Sequence, residues 1–215
     1  MSPDLRAHAP ATARNRDAIL AVLRDILPAA ASPQSPSTST AQQGTVLEIG
    51  SGSGEHVVYF AGHFQHLDWL PTEASEDGLD SIKAWLAHSP ADNILPPIAL
   101  DANVQPWPLT RATAILAINV IHYSPWETTH ALLDGAARTL THDGVLYLYG
   151  PYRRDGVHTA PSNEAFDAWL KARNSAFGVR DLQAVESLAR ERGLALDQVV
   201  DMPANNLSLV FRRMD

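Results

Sequence analysis

The chain has 215 residues, 45% of them hydrophobic and 19% charged, and no cysteine, a profile that suits one soluble domain with a substantial core. A formal net charge of −8 argues against general nucleic-acid binding, which needs a basic surface, and the lack of cysteine removes disulfides, thiol nucleophiles and Cys-type zinc sites. No apolar run approaches the ~20 residues of a membrane span, and the start of the chain has no leader-like apolar stretch, so the expectation is a cytoplasmic protein with no membrane partner.

Residues 1–12 offer little to order them, and Asn15 to Leu27 predicts an amphipathic helix with Ile19, Val22, Leu23 and Ile26 on one face. From Pro28 to Gly44 the chain is almost all Ala, Ser, Pro, Thr and Gln, too poor in bulky side chains to bury a core, which predicts a flexible linker. The expected organisation is an N-terminal arm and helix over 1–28 that can act as a lid, a linker over 29–44, and a main domain over 45–215.

In that domain, Thr45 to Ile49 predicts a strand, followed by a glycine turn and a helix-like segment from His56 to His63. A strand from Leu67 to Thr72 ends in Glu73, and a helix from Ser75 to Ala87 has Ser75 as its cap. Strands at 98–100 and Ala112 to Ile118 end in Asp101 and Asn119, and a helix from Pro125 to Leu140, with Pro125 pre-set for its first turn, leads to a strand from Val145 to Tyr149. Helices at Ser162 to Phe177 and Asp181 to Arg192 precede two β-like runs, Leu194 to Asp201 and Leu207 to Arg212, whose short connection implies an antiparallel hairpin. The expected fold class is α/β: a Rossmann-like, doubly wound, mostly parallel seven-stranded sheet with a C-terminal antiparallel hairpin.

The most informative segment is Glu48-Ile49-Gly50-Ser51-Gly52-Ser53-Gly54. A strand running through a glycine turn into a helix places backbone N–H groups and open space at the carboxyl edge of such a sheet. The dinucleotide pattern G-x-G-x-x-G fails, because Glu55 stands at its sixth position, and the Lys-Ser/Thr pair of a phosphate loop is replaced by Glu55-His56. Acidic neighbours repel a pyrophosphate and suit a ligand with a cationic end, such as the sulfonium and ammonium of S-adenosylmethionine. Glu48 to Gly54 closely resembles the E/D-x-G-x-G-x-G signature of class I S-adenosylmethionine methyltransferases.

The other strand ends extend this set. Glu73, 19 residues past Gly54, has the spacing of a ribose acceptor, and Asp101 with the Ala102 backbone stands where an adenine amino group would be held. The expected cofactor-binding residues are Glu48, Gly50, Ser51, Gly52, Gly54, His56, Glu73, Asp101, Ala102 and Asn119, with Arg14 and Asn15 reaching in from the first helix if it is a lid. The expected catalytic residues are His122, a base or else a packed strand-end residue, and Tyr123 and Tyr152, able to orient an acceptor. Arg180-Asp181 and Asn205-Asn206 are polar pairs that the fold alone does not require, although Asn205-Asn206 also suits left-handed turn positions. His56, His63 and His66 lack a carboxylate at zinc-enzyme spacing, so no metal is expected.

Across nearly the whole chain, the runs RNRDAIL from Arg14, LEIGSGSGEH from Leu47, WLPTE from Trp69, NVIHYSP from Asn119, YGPY from Tyr149, SNEAFD from Ser162, GVRD from Gly178 and DMPANN from Asp201 resemble the methyltransferase-like 26 family, also filed as a domain of unknown function. That resemblance implies the class I fold and binding of S-adenosylmethionine, with S-adenosylhomocysteine as product, and names no acceptor. A small-molecule acceptor is the expected partner. A non-catalytic cofactor-binding or scaffold protein is the alternative, and an NAD-dependent oxidoreductase is disfavoured by Glu55. The sequence leaves the oligomeric state open.

Overall fold

Alternation of apolar strands with amphipathic helices builds a sheet covered on both faces. The computed structural model describes residues 4–30 and 44–214, so 31–43, most of the expected linker, lie outside the described residues. Helix α1 (Pro10–Ile26) precedes β1 (Gly44–Ile49), α2 (Glu55–Ala61), β2 (Leu67–Glu73), α3 (Glu76–Leu86), β3 (Ile98–Ala99) and β4 (Ala112–Ile118). Then come α4 (Trp126–Thr139), β5 (Leu140–Gly150), β6 (Tyr152–Arg154), β7 (Val157–His158), α5 (Pro161–Arg173), β8 (Arg180–Asp181), α6 (Leu182–Arg190), β9 (Leu194–Met202) and β10 (Asn206–Arg213).

Seven strands form one sheet in the order β3-β2-β1-β4-β5-β10-β9. The pairs from β3 to β5 are parallel, and β10 runs antiparallel to both β5 and β9. The expected Rossmann-like sheet with its antiparallel hairpin is therefore present. Both faces of the central strands are buried, as parallel sheets require. Leu47, Ile49, Ile115, Leu146 and Leu148 face a core shared with α4 and α6. Val46, Ala114, Leu116, Tyr147 and Tyr149 face a second core shared with α1 and α2. By strand alternation, Glu48 points to that second face.

Local chemistry explains several boundaries. Ser75 caps α3 by accepting the Gly78 N–H at 3.2 Å, and Glu76 and Asp77 complement the positive end of that helix. Asp181 caps α6 through the N–H groups of Gln183 and Ala184. Helix α1 starts five residues earlier than its apolar pattern predicts, because Pro10 at its first turn needs no hydrogen-bond donor. Pro125 is the residue before α4 and not part of its first turn, and α5 stops at Arg173 because Asn174 is extended (φ −152). The three-stranded sheet β7-β6-β8, two or three residues per strand, is too short to carry a sequence pattern.

The N-terminal segment differs most from expectation. Residues 4–9 are not loose: the Ala7 N–H donates to Ser81 Oγ (2.9 Å) and Trp85 Nε1 donates to the Ala7 carbonyl (2.9 Å). Nor is α1 a free lid. Detaching it would expose the buried Ile19, Leu20, Leu23 and Ile26, at roughly 1.5–3 kcal/mol each, which together approach the whole stability of a domain. Helix α1 is a layer of the fold whose first turns also cover the glycine loop.

Candidate functional site

The site forms where β1, β2, β4 and β5 end. Strand β1 delivers Glu48 and the turn that follows, in which Gly50, Gly52 and Gly54 have φ of 64°, 57° and 91°. At Gly54 a Cβ would stand 3.0 Å from Ile82 Cα, so glycine lets the loop lie against α3. At Gly52 a Cβ would meet nothing within 4 Å, so the space above that residue is open.

Three cavities meet at this edge, and Asn119 lines all of them. A small one of about 140 Å³ lies between the glycine loop and the start of α1, with Glu48, Ser51, His56 and Asn15 in its wall. A second, about 450 Å³, runs past Gly50, Glu73, Asp101, Ala102 and Tyr123. The third and largest, about 780 Å³, is bounded by Arg14, Tyr149, Phe166 and the turn at 203–206. Asn119 takes a left-handed conformation (φ 63), a strained choice for a side-chain-bearing residue that concentrates at functional sites.

The electrostatics differ around the edge. Glu48 is buried and its Oε2 has no partner among the described residues. Burial raises its pKa to about 7, with Glu73 adding to the shift and a hydrogen bond from Ser51 opposing it. Glu73 Oε2 accepts the Gly52 N–H (3.0 Å) and its Oε1 the Ala74 N–H (2.8 Å), so this carboxylate ties β2 to the glycine loop. Asp101 Oδ1 accepts from the backbone and side chain of Asn103 (2.9 and 2.8 Å). The Ala102 carbonyl accepts from Gln105 Nε2 and Trp107 Nε1.

Glu55 and His56, which break the nucleotide motifs, fasten α1 instead. Burial alone would raise Glu55, but hydrogen bonds from the Ala9 N–H (2.6 Å), His8 and Ser53 hold it below its usual value. Burial lowers His56 to a pKa of about 4, so its ring is neutral at physiological pH. Its Nε2 meets Asn15 Oδ1 at 2.9 Å and, with that acceptor, carries the proton. Asn15 and the Tyr149 hydroxyl, which accepts Asn206 Nδ2 at 3.0 Å, stand in the wall of the same cavity. Polar pairs thus link α2 to α1 and β5 to β10, and the two pairs meet at one cavity wall.

Every expected cofactor residue lines one of the three cavities except Gly54, which packs on α3. Tyr123, at the junction of the second and third cavities, lies against Phe166 edge to face with centroids 5.8 Å apart. His122 and Tyr152 are corrected. Both are wholly buried and neither lines any of these three cavities. The 3₁₀ turn Val120–His122 tucks the imidazole beneath Gly150, where a Cβ would come within 2.3 Å of His122 Nε2, and the ring packs on Tyr152 at 5.0 Å. Burial, reinforced by Arg180, lowers His122 to a pKa of about 3, and burial raises Tyr152 far above its usual value. So placed, neither group faces the space in which an acceptor would lie. Arg180 is structural as well: its Nε bonds the Ile121 carbonyl at 2.9 Å and holds the turn that carries Tyr123.

Residues missed by sequence reasoning build the largest cavity: Tyr149, Ser162, Asn163 and Phe166. Asn163 Nδ2 donates to the Asn205 carbonyl (2.8 Å) and Asn205 Nδ2 to Ser162 Oγ (3.1 Å), which joins α5 to the turn before β10. Asn205 does supply a left-handed turn position, beside Ala204 (both φ 58), whereas Asn206 is extended and holds Tyr149. The family-like runs YGPY, SNEAFD and DMPANN carried the signal, because all three converge here.

Residues 6–213 match the model of a family described as "Protein of unknown function (DUF938)", and the chain belongs to that family. Among solved structures, a candidate O-methyltransferase from Nostoc punctiforme is similar with a TM-score of 0.77 at 17% identity, over 97% of this chain and 58% of that one. The mitomycin 7-O-methyltransferase MmcR is similar at 0.69 and 18% identity, over 80% and 49% of the two chains. Human N-acetylserotonin methyltransferase, solved in complex with S-adenosylmethionine, is similar at 0.66 and 14% identity, over 80% and 48%. The chain spans about half the length of these structures, and what it shares with them is the class I methyltransferase fold.

Proposed function

We propose that this member of the DUF938 family is an S-adenosylmethionine-dependent methyltransferase that modifies a small polar acceptor, kin to the methyltransferase-like 26 proteins its motifs resemble. The observation that carries the proposal is the buried, unpartnered Oε2 of Glu48 beside the glycine-loop cavity. A carboxylate desolvated in this way gains most from a cationic neighbour. An ammonium or sulfonium satisfies it, and a pyrophosphate does not. The open space over Gly52 leaves room for the amino-acid end of the cofactor.

The other residues suit the remaining parts. Glu73, fixed by three backbone N–H groups, keeps a lone pair on Oε2 for a ribose hydroxyl. Asp101 Oδ2 accepts no hydrogen bond among the described residues and suits an exocyclic amine. Arg14 and Asn15 stand on the acceptor side and at the glycine loop respectively. When bound, the cofactor supplies a methyl group on a positively charged sulfur. The protein's task is alignment, and effective concentration does most of the work in such reactions. Asn119 and Tyr123, at the cavity junction, are proposed to set that alignment. The fold shared with O-methyltransferases of small molecules supports the reading, and a cytoplasmic setting without a nucleic-acid partner belongs to the same proposal.

Calorimetric titration with S-adenosylmethionine and S-adenosylhomocysteine tests it, with NADH as control. The expected result is a Kd on the order of micromolar for the wild type, weakened about tenfold or more in Glu73→Ala and in Asp101→Ala, with no NADH binding. Failure of folded wild-type protein to bind either sulfur compound overturns the proposal. Release of S-adenosylhomocysteine during turnover separates an enzyme from a non-catalytic binder.

A further inference from the structure

The largest cavity has an unusual charge balance. None of the described residues lining it is a carboxylate, a lysine or a histidine, and its one charged side chain is Arg14. That guanidinium has no ion-pair partner among the described residues, while the neighbouring Arg16 approaches Asp17 at 4.0 Å. The remaining polar wall is mostly amide and hydroxyl, with Tyr123 and Phe166 offering flat apolar faces. Such a wall gives a cationic acceptor no carboxylate to pair with and gives an anion both a counter-charge and donors.

The cavity also lacks a base. His122 and Tyr152 lie buried outside it, and His56 faces the small cavity with its Nε2 proton on Asn15. Glu48, likewise in the small cavity, is the proposed partner of the cofactor's ammonium. Tyr149 can donate here: its oxygen accepts from Asn206 (3.0 Å), which leaves its own proton available to a ligand, and burial keeps that proton in place by raising its pKa. An acceptor in this cavity must already be a nucleophile on arrival.

Resting on the methyltransferase reading, we infer that the acceptor is a small organic acid, a carboxylate or an acidic phenol, bound by Arg14 and Tyr149 and methylated on its anionic oxygen. The acceptor oxygen's lone pair forms the new O–CH3 bond as the S–CH3 bond breaks and its electron pair passes to sulfur. The acceptor's negative charge and the sulfonium's positive charge vanish together, so no proton moves and no base is needed. The product is a neutral ester or ether, which Arg14 no longer attracts.

The test uses the full chain saturated with S-adenosylhomocysteine and titrated with benzoate, 4-nitrophenolate, benzyl alcohol and benzylamine, beside methyl-transfer assays of the same compounds with labelled S-adenosylmethionine. At least one of the two acids should bind about tenfold or more tightly than the alcohol and the amine, and Arg14→Gln should remove about that factor while Arg14→Lys keeps part of it. Benzoate preference identifies a carboxylate acceptor, and nitrophenolate preference a phenol. Methyl transfer to the preferred acid should show no pH break beyond ionisation of the acid itself. Amine binding as tight as that of the acids, binding of neither acid, or indifference to Arg14→Gln overturns the inference. In those cases intact binding of S-adenosylmethionine leaves the methyltransferase reading standing, whereas its absence removes that reading first.

Discussion

The carboxyl edge of the sheet is built differently on the two sides of Asn119. Toward β1, β2 and β3 it is acidic, and Glu48, Glu73 and Asp101 each stand at or just beyond a strand end. Toward β5 and β10 it is amide-rich with a single cation, assembled from two helices, a 3₁₀ turn and strand ends that are distant in sequence. The first side gains its shape from local rules: a strand stops, glycines turn the chain and a helix begins. The second depends on tertiary contacts such as Tyr149 to Asn206, 57 residues apart, and Asn163 to Asn205, 42 apart. A cofactor common to many proteins can be held by a local device, whereas a particular acceptor needs a surface gathered from several segments.

Four substitutions test this contrast, one of them as a control on stability alone. The largest effect is expected for Glu48→Gln, which should weaken S-adenosylmethionine binding about 100-fold, the value of a desolvated charge pair, while leaving the acid-binding cavity intact in the titration above. This variant should also change stability in a defined direction. The Glu48 pKa is raised to about 7 by burial, so the native state holds a proton that the unfolded state has released. Free-protein stability should therefore fall as pH rises from about 4.5 to about 7, by roughly 3 kcal/mol, and Glu48→Gln should flatten that dependence. Urea denaturation at several pH values measures it, and an unchanged slope in the variant would contradict the burial argument.

Asn93→Ala tests stability apart from either side. The Asn93 amide donates to the carbonyls of Ala61, Phe64 and Leu67 (3.2, 3.0 and 2.8 Å) behind the glycine-loop helix. Losing those donors should cost about 2 kcal/mol in chemical denaturation with little change in either ligand's affinity at 10 °C. Tyr149→Phe should act on the acceptor side alone, lowering kcat/KM for the acceptor about tenfold with cofactor affinity unchanged. A parallel loss of cofactor affinity would mean that Asn15, which bonds His56 and shares a cavity wall with Tyr149, couples the two sides. The smallest effect belongs to His122→Leu. A packed ring without a proton-transfer role predicts a threefold or smaller change in kcat, on the order of what repacking causes, and no change in the pH–rate profile. Loss of a pH break would restore it as a base.

The same contrast explains what the sequence made legible. Strand β4 matches its prediction residue for residue, because six apolar residues around Thr113, followed by Asn119, admit little else. The acidic strand ends were found because motif and spacing are local quantities. Helix α1 was recognised from its apolar face yet misjudged as a lid, since periodicity shows that a face is buried and not against what. His122 read as either a base or a packed strand-end residue; only the turn at 120–122 and the bare backbone of Gly150 decide for packing. Tyr149 was hidden for the opposite reason: as a strand residue it reads as core, and its hydroxyl gains a role only once Asn206 arrives from β10.

Asn119 closes all three cavities at once, and this common wall has a consequence for inhibitor chemistry. A single molecule carrying an adenosine at one end and a carboxylate at the other, joined by a short linker past this asparagine, would occupy the two larger chambers together. Because its halves share one association penalty, it should bind far more tightly than S-adenosylhomocysteine, and enlarging Asn119 to a bulkier residue should block the linker before it disturbs either half.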